Sequence, residues 1–237
     1  MTRNQAAHPM KNPIILALDV DTETQALSIA DELSDIVGGF KLGPRLCLRY
    51  GMKFVKEIAQ RGPIFLDNKH FDIPSTMEAA VRASFDAGAS LVTVHALSGH
   101  EALKKMAEVE KELNQQRPFR VLAVTILTSW DQQSLPPSLK AQPLAQHVTE
   151  LASLVQECGL SSVVCSPQEL DLLQNRNLYL VTPGIRTSMQ ASGDQKRIMG
   201  PKEALQNGAS ALVVGRPILE AKNKKEAATE FVMAVYE

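Results

Sequence analysis

The chain has almost no net charge: 25 lysines and arginines face 26 aspartates and glutamates, leaving −1 over 237 residues. That balance argues against wholesale binding to nucleic acid or to an anionic membrane. It leaves room for one basic pocket, because a surface average says little about a cleft. Cysteine is scarce. Cys47, Cys158 and Cys165 are odd in number and have neither metal-ligand nor disulfide-scaffold spacing, so reduced thiols in a cytoplasmic protein are the economical expectation. No apolar run approaches the roughly 20 residues of a membrane helix; Ile14–Leu18 is short and runs into Asp19. The polar N-terminus has no signal-peptide core, and residues 1–11 are expected to form a loose tail. No Pro/Gly/Ser-rich linker divides the remainder, which is expected to be one domain over 12–237. The five histidines have no metal-site spacing. Ser-His-Asp spacing, a nucleophile elbow and a P-loop are absent, as is a Gly-x-Gly-x-x-Gly after the first apolar run.

What is present is an alternation. Short runs rich in Val, Ile and Leu recur at Ile14–Leu18, Phe40–Leu42, Ile64–Leu66, Leu91–Val94, Val121–Leu127, Ser162–Cys165, Leu178–Val181 and Ala211–Val214. They lack polar alternation, as parallel strands covered on both faces do. Between them lie segments of helical period. Thr22 and Gln25 suggest a capping box ahead of the stripe Ala26, Ile29, Ala30, Leu33 and Val37. Leu144, Val148, Leu151, Val155 and Cys158 form a second stripe, and Leu219, Ala227, Phe231, Val232 and Val235 a third. A weak repeat, Gly88-Ala89-Ser90, Gly159-Leu160-Ser161 and Gly208-Ala209-Ser210, places a glycine where each helix would turn back into a strand. Eight strands at about 30 residues per unit predict an α/β fold of the (β/α)8 TIM-barrel type in a single domain. An open doubly wound sheet is the alternative.

A barrel enzyme collects its reactive side chains at the C-terminal ends of its strands, and the polar residues fall there. Asp19 ends the first run, Lys41 lies in the second, and Asp67 and Lys69 follow the third. His95 ends the fourth, Thr128 and Ser129 follow the fifth, Gly184-Ile185-Arg186 the seventh and Gly215-Arg216 the eighth. Charges ending nearly buried strands must be paired or used. In the densest cluster, Phe65–Thr76, Asp67 and Lys69 are two apart and point the same way on an extended chain. Pro74 is placed to start a helix. The plainer reading makes Asp67–Lys69 a surface ion pair and Asp72 and Ser75 helix caps. Gly215-Arg216-Pro217 combines a glycine, a forked cation and a proline at a helix start, a pattern suited to phosphate, although both Gly184 and Gly215 also suit plain turns. The polar stretch Thr187–Gln195, with Ser188, Ser192, Gly193 and Asp194, is long enough for a lid. His95 is read as a hydrogen-bonded structural residue and His70 as pointing away from Lys69.

Taken together, the sequence resembles the orotidine 5′-phosphate decarboxylase family from about Pro13 to the C-terminus. The resemblance rests on Leu16-Ala17-Leu18-Asp19, Phe40-Lys41-Leu42-Gly43, Asp67-x-Lys69-x-x-Asp72-Ile73-Pro74-x-Thr76, Thr125-Ile126-Leu127-Thr128-Ser129, Thr182-Pro183-Gly184-Ile185-Arg186, Gly193-Asp194-Gln195 and Val214-Gly215-Arg216-Pro217. One departure is the order His70-Phe71, where the family places its histidine directly before the aspartate. The resemblance implies conversion of orotidine 5′-monophosphate to uridine 5′-monophosphate with neither metal nor organic cofactor. It implies an array of Lys41, Asp67, Lys69 and Asp72, with Lys69 protonating the C6 carbanion. In a homodimer, Asp72 and Thr76 would serve the neighbouring subunit's site. Asp19 and Lys41 would hold ribose hydroxyls, Thr128 and Ser129 the pyrimidine edge, and Arg186, Gln195, Gly215 and Arg216 the phosphate. A sugar-phosphate decarboxylase or aldolase-like relative of the same barrel group, which typically binds magnesium, and a non-catalytic nucleotide-phosphate-binding barrel are the alternatives.

Overall fold

The computed structural model describes residues 10–186 and 199–236. Its eight parallel strands are β1 (Ile14–Ala17), β2 (Gly39–Leu42), β3 (Ile64–His70), β4 (Ala89–His95), β5 (Arg120–Val124), β6 (Ser162–Val164), β7 (Tyr179–Pro183) and β8 (Ala211–Val214). They pair in sequential order, and a ladder from Ile14↔Leu212 to Leu16↔Val214 closes β8 onto β1. The sheet therefore has no edge, and the open-sheet alternative falls.

The unbroken apolar runs have a simple cause: each strand serves two cores. Ile15, Ala17, Phe65, Leu91, Leu122, Val124, Val164, Val181, Ala211 and Val213 fill the barrel, while their neighbours Ile14, Leu16, Phe40, Ile64, Leu66, Val92, Ala123, Val163, Leu180 and Leu212 pack outward under the helices. With a side-chain period of 2, successive positions are therefore apolar along most of each strand.

The outer layer comprises α1 (Glu23–Leu33), α2 (Pro44–Ala59), α3 (Pro74–Asp86), α4 (His100–Leu113), α5 (Leu144–Glu157), α6 (Leu170–Leu173), α7 (Pro201–Gln206), α8 (Arg216–Leu219) and α9 (Lys224–Met233). Thr22 caps α1, its hydroxyl accepting from Gln25 N at 3.2 Å. This is the N-cap half of the expected box. Pro74 is the first residue of α3, and Ile73 before it is extended at φ −64, ψ 154, as the pre-proline clash requires. The repeat glycines Gly88, Gly159 and Gly208 have φ of +97, +91 and +99, a region that side-chain-bearing residues avoid.

Three expectations are corrected. The third stripe is divided between α8, which contains Leu219, and α9, which contains Ala227, Phe231 and Val232; Val235 lies past its end. The fifth strand stops at Val124, because short β6 offers partners only to Ala123 and Val124; residues 125–129 are released toward the barrel mouth. The third strand runs past Leu66 to His70, but irregularly. Its ladder with β4 passes from Leu66↔Val92 to His70↔Val94, so three residues of β3 stand opposite Thr93 alone. Asp67 and Lys69 are thus not two positions apart on a regular extended strand: they lie in a bulge, and Lys69 has φ +48.

Candidate active site

The strand ends converge on a cavity of about 560 Å³, within the range of small-molecule sites. Asp19, Lys41, Asp67, Lys69, Thr128, Ser129, Arg186, Gly215 and Arg216 all line it, spread over nearly 200 residues of sequence. Its floor is the top of the barrel core, including Ala17, Phe65, Val124, Val164 and Val213.

Four of these side chains form a line of alternating charge across β1, β2 and β3. Lys41 Nζ lies 3.3 Å from Asp19 Oδ1 and 3.7 Å from Asp67 Oδ2, and Lys69 Nζ donates to Asp67 Oδ1 at 2.8 Å. The middle pair is largely withdrawn from water, with Lys41 13% and Asp67 16% exposed, whereas Lys69 and Asp19 are more open at 37% and 51%. The plain surface-pair reading of Asp67–Lys69 is therefore set aside. Burial of this kind is tolerated because each charge faces an opposite one; deleting one member leaves a partly desolvated charge, a loss of about 3–5 kcal/mol when burial is complete and less here.

Arg186, Gly215 and Arg216 also line the cavity, with Thr128 and Ser129 from the segment after β5. A Cβ built on Gly215 would meet Ala17 Cβ at 3.5 Å and Asp19 Oδ2 at 3.8 Å, ordinary contacts. Protein packing therefore does not demand glycine there. Beyond Arg186, Ile185 and Met199 form a parallel bridge, and Arg186 N donates to Met199 O at 3.2 Å. Gln195 and the rest of the expected lid, Thr187–Gln195, lie outside the described residues.

Asp72 and Thr76 are not brought to this cavity by their own chain. Both are exposed, Asp72 just before α3 and Thr76 in its first turn. Asp72 Oδ1 accepts from Ile73 N at 2.7 Å, and neither Asp72 nor Ser75 caps α3. Phe71 and Ile73 beside them are 62% and 63% exposed.

His95 Nδ1 accepts from Leu97 N at 3.3 Å and its ring stacks on Phe71 at 5.5 Å. Burial, then the Lys69 charge, hold its pKa below the ordinary 6.5, in keeping with a neutral structural imidazole. Burial lowers the pKa of His70, and among the described residues its enclosed Nε2 has no hydrogen-bond partner. Burial pushes the Cys47 thiol up to about 11 and Cys165 to about 12, so neither is a nucleophile at neutral pH.

The sequence reading missed two groups. Arg45 Nη1 donates to Asp19 O at 3.2 Å and Asp21 Oδ1 at 3.3 Å, and Arg49 Nη1 donates to Asp21 O at 2.7 Å. Together they tie the loop carrying Asp19 to α2, and nothing in their spacing marked them. Thr93, a lone hydroxyl within the run Leu91–Val94, receives Lys69 N at 2.8 Å and lies 3.1 Å from Asp67 Oδ1. Its only signal was polarity inside a buried strand.

Residues 12–231 match the family model described as orotidine 5′-phosphate decarboxylase / HUMPS family. The chain belongs to this family. Among curated relatives, the orotidine 5′-phosphate decarboxylase of Geotalea daltonii is 40% identical over 240 residues, covering 99% of each chain. That of Trichlorobacter lovleyi is 41% identical over 233 residues, covering 96% of this chain and 95% of its own. A crystal structure of orotidine 5′-phosphate decarboxylase from Lactobacillus acidophilus superposes with a TM-score of 0.82 at 32% identity, covering 96% of this chain and all of the other. For a member of the orotidine 5′-phosphate decarboxylase / HUMPS family, the barrel is the expected scaffold. Among the described residues, no group of three or more His, Cys, Asp or Glu is arranged to hold a metal ion, and no helix is long and apolar enough to cross a membrane.

Proposed function

We propose that the protein is a carboxy-lyase that converts orotidine 5′-monophosphate to uridine 5′-monophosphate and CO2 in pyrimidine biosynthesis. The observation that carries this reading is the Asp19–Lys41–Asp67–Lys69 line in the same cavity as Arg186 and Arg216. Family membership and full-length relatives bearing that name support it.

In this reading the phosphate binds Arg186, Gly215 and Arg216, with Gln195 from the adjoining segment, and Thr128 and Ser129 meet the pyrimidine edge. Asp19 and Lys41 hold ribose hydroxyls. The C6 carboxylate then lies against Asp67, and C6 against Lys69. The C6–carboxylate bond breaks, its electron pair stays on C6, and CO2 leaves. An N–H of the Lys69 ammonium gives its proton to C6, and the neutral amine is recharged from solvent. Lys69 acts twice, as a fixed positive charge beside the developing carbanion and as its acid. The chain supplies this chemistry without a cofactor. The phosphate grip is remote from C6, so it raises kcat only if its binding energy orients the ring.

Asp72 and Thr76 complete a neighbouring subunit's site in a homodimer, a role supported by their exposure beside the bare side chains of Phe71 and Ile73. A cytoplasmic location, suited to three buried free thiols, belongs to the same reading.

The test is loss of orotidine 5′-monophosphate absorbance on adding purified protein, first without and then with a metal chelator, with uridine 5′-monophosphate identified as product. No turnover refutes the assignment, and turnover that stops with the chelator refutes the cofactor-free route. For the dimer, inactive Lys69→Ala and Asp72→Ala chains are mixed under conditions of proven subunit exchange. Partial recovery is expected from hybrids with one intact site; no recovery overturns the shared site.

A further inference from the structure

We propose that Thr93 is a positioning residue for the Asp67–Lys69 pair, its hydroxyl holding the bulge of β3 in the shape that brings the two side chains together. For its activity arm the proposal rests on the role given to Lys69 above; its structural arm does not.

The β3–β4 ladder leaves Asp67, Asn68 and Lys69 opposite one residue. In a regular parallel sheet each backbone N–H would find a carbonyl on one or other neighbouring strand; a bulge breaks that supply. Lys69 N donates instead to Thr93 Oγ1 at 2.8 Å. Lys69 is also at φ +48, a backbone region that a side-chain-bearing residue keeps only when its surroundings enforce it. Thr93 is 0% exposed, so water is not at hand to replace the bond.

The hydroxyl's own hydrogen has two acceptors in reach, Asp67 Oδ1 at 3.1 Å and Leu66 O at 3.5 Å. The nearer, charged acceptor takes it. Asp67 Oδ1 then receives both Thr93 Oγ1 and Lys69 Nζ, while Oδ2 is left to face Lys41. One hydroxyl thereby sets the backbone of the lysine and the rotation of the carboxylate it pairs with. Thr93 touches neither the cavity nor a bound molecule in this scheme; it acts through its two neighbours.

The experiment compares Thr93→Val, which keeps the shape and removes the hydroxyl, with Thr93→Ser, which keeps the hydroxyl. If the pair is displaced by about an ångström, kcat on orotidine 5′-monophosphate should fall roughly 100-fold in Thr93→Val. KM should change far less than kcat, and Thr93→Ser should stay close to the parent. A Thr93→Val kcat equal to the parent's, an equal fall in Thr93→Ser, or a change confined to KM overturns the proposal. Should Thr93→Val not fold, Thr93→Cys replaces it. Cysteine is nearly the size of serine but a weak hydrogen-bonder, so equal activity of the two variants overturns the proposal and a deficit only in Thr93→Cys supports it. The structural arm is a crystal structure of the hydroxyl-free variant. Loss of the Lys69–Asp67 contact or of the positive φ at Lys69 supports the proposal, and retention of both overturns it. If the parent protein does not decarboxylate the nucleotide, the functional assignment fails and this arm alone decides the role of Thr93.

Discussion

The two ends of the barrel treat a half-buried cation differently. At the N-terminal end Arg120, at the start of β5, lies over the ring of Tyr179, 4.5 Å from its centroid, and reaches Ser162 Oγ at 3.4 Å. Burial raises the Tyr179 hydroxyl's pKa above its usual value, the Arg120 charge opposing it. That end is packed, with Met10 against the same core. At the C-terminal end Lys41 and Lys69 face carboxylates around an open cavity. A cation over a ring is held by the ring's quadrupole and by packing, with no full opposite charge against it. A cation against a carboxylate in a partly dry cleft is a charge whose field a substrate can feel. The lower end stores stability, and the upper end is available for chemistry.

Four measurements break or sharpen that contrast. On the role proposed for Lys69, Lys69→Ala should lower kcat by about 10^4-fold or more, since both charge stabilisation and the acid are lost, while the thermal midpoint falls by only a few degrees because Asp67 keeps Lys41. Near-normal turnover would show that the proton comes from elsewhere, and unfolding would show that the upper end is structural after all. Leu122→Ala, in the middle of the barrel and 0% exposed, should lose about 2–5 kcal/mol of stability by denaturant titration. Its kcat at 25 °C should stay within a few-fold of the parent; a large kcat loss would mean that the two ends are mechanically coupled. Arg216→Ala should raise KM about 10- to 100-fold through loss of a charge-assisted bond to phosphate, with a smaller effect on the phosphate-free nucleoside. An equal effect on both would place Arg216 away from the phosphate.

The smallest effect concerns pH. His70 and His95 are both held below the ordinary 6.5, so the unfolded chain takes up protons that the folded chain resists. Their contribution to stability is complete above about pH 6.5 and declines as pH falls from there through the folded values. Urea midpoints measured at neutral and mildly acid pH should therefore separate less in His70→Asn than in the parent. An unchanged separation would mean that the fold does not lower the pKa of His70.

Much of the site is legible in the sequence. All eight strands are marked by apolar runs, and the cavity's polar side chains can be named from their place at strand ends. The misreadings share a cause. The run Val121–Leu127 looked like one strand because composition does not reveal that β6 is too short to pair with its end. Asp67 and Lys69 looked regular because a bulge depends on the neighbouring strand's register. Arg45, Arg49 and Thr93 escaped notice because arginine on a helix and threonine in a strand are ordinary, and only their partners make them special.

Local order in this chain follows from patterning and steric preference: unbroken apolar runs demand two cores, glycines end helices, and Pro74 starts one, all by forces acting over a few residues. Closure of β8 onto β1, the meeting of Asp19, Lys41, Asp67 and Lys69, and the three-against-one pairing at Thr93 come from contacts between distant segments. Their energies depend on register and distance in space, and a linear order of residues carries neither.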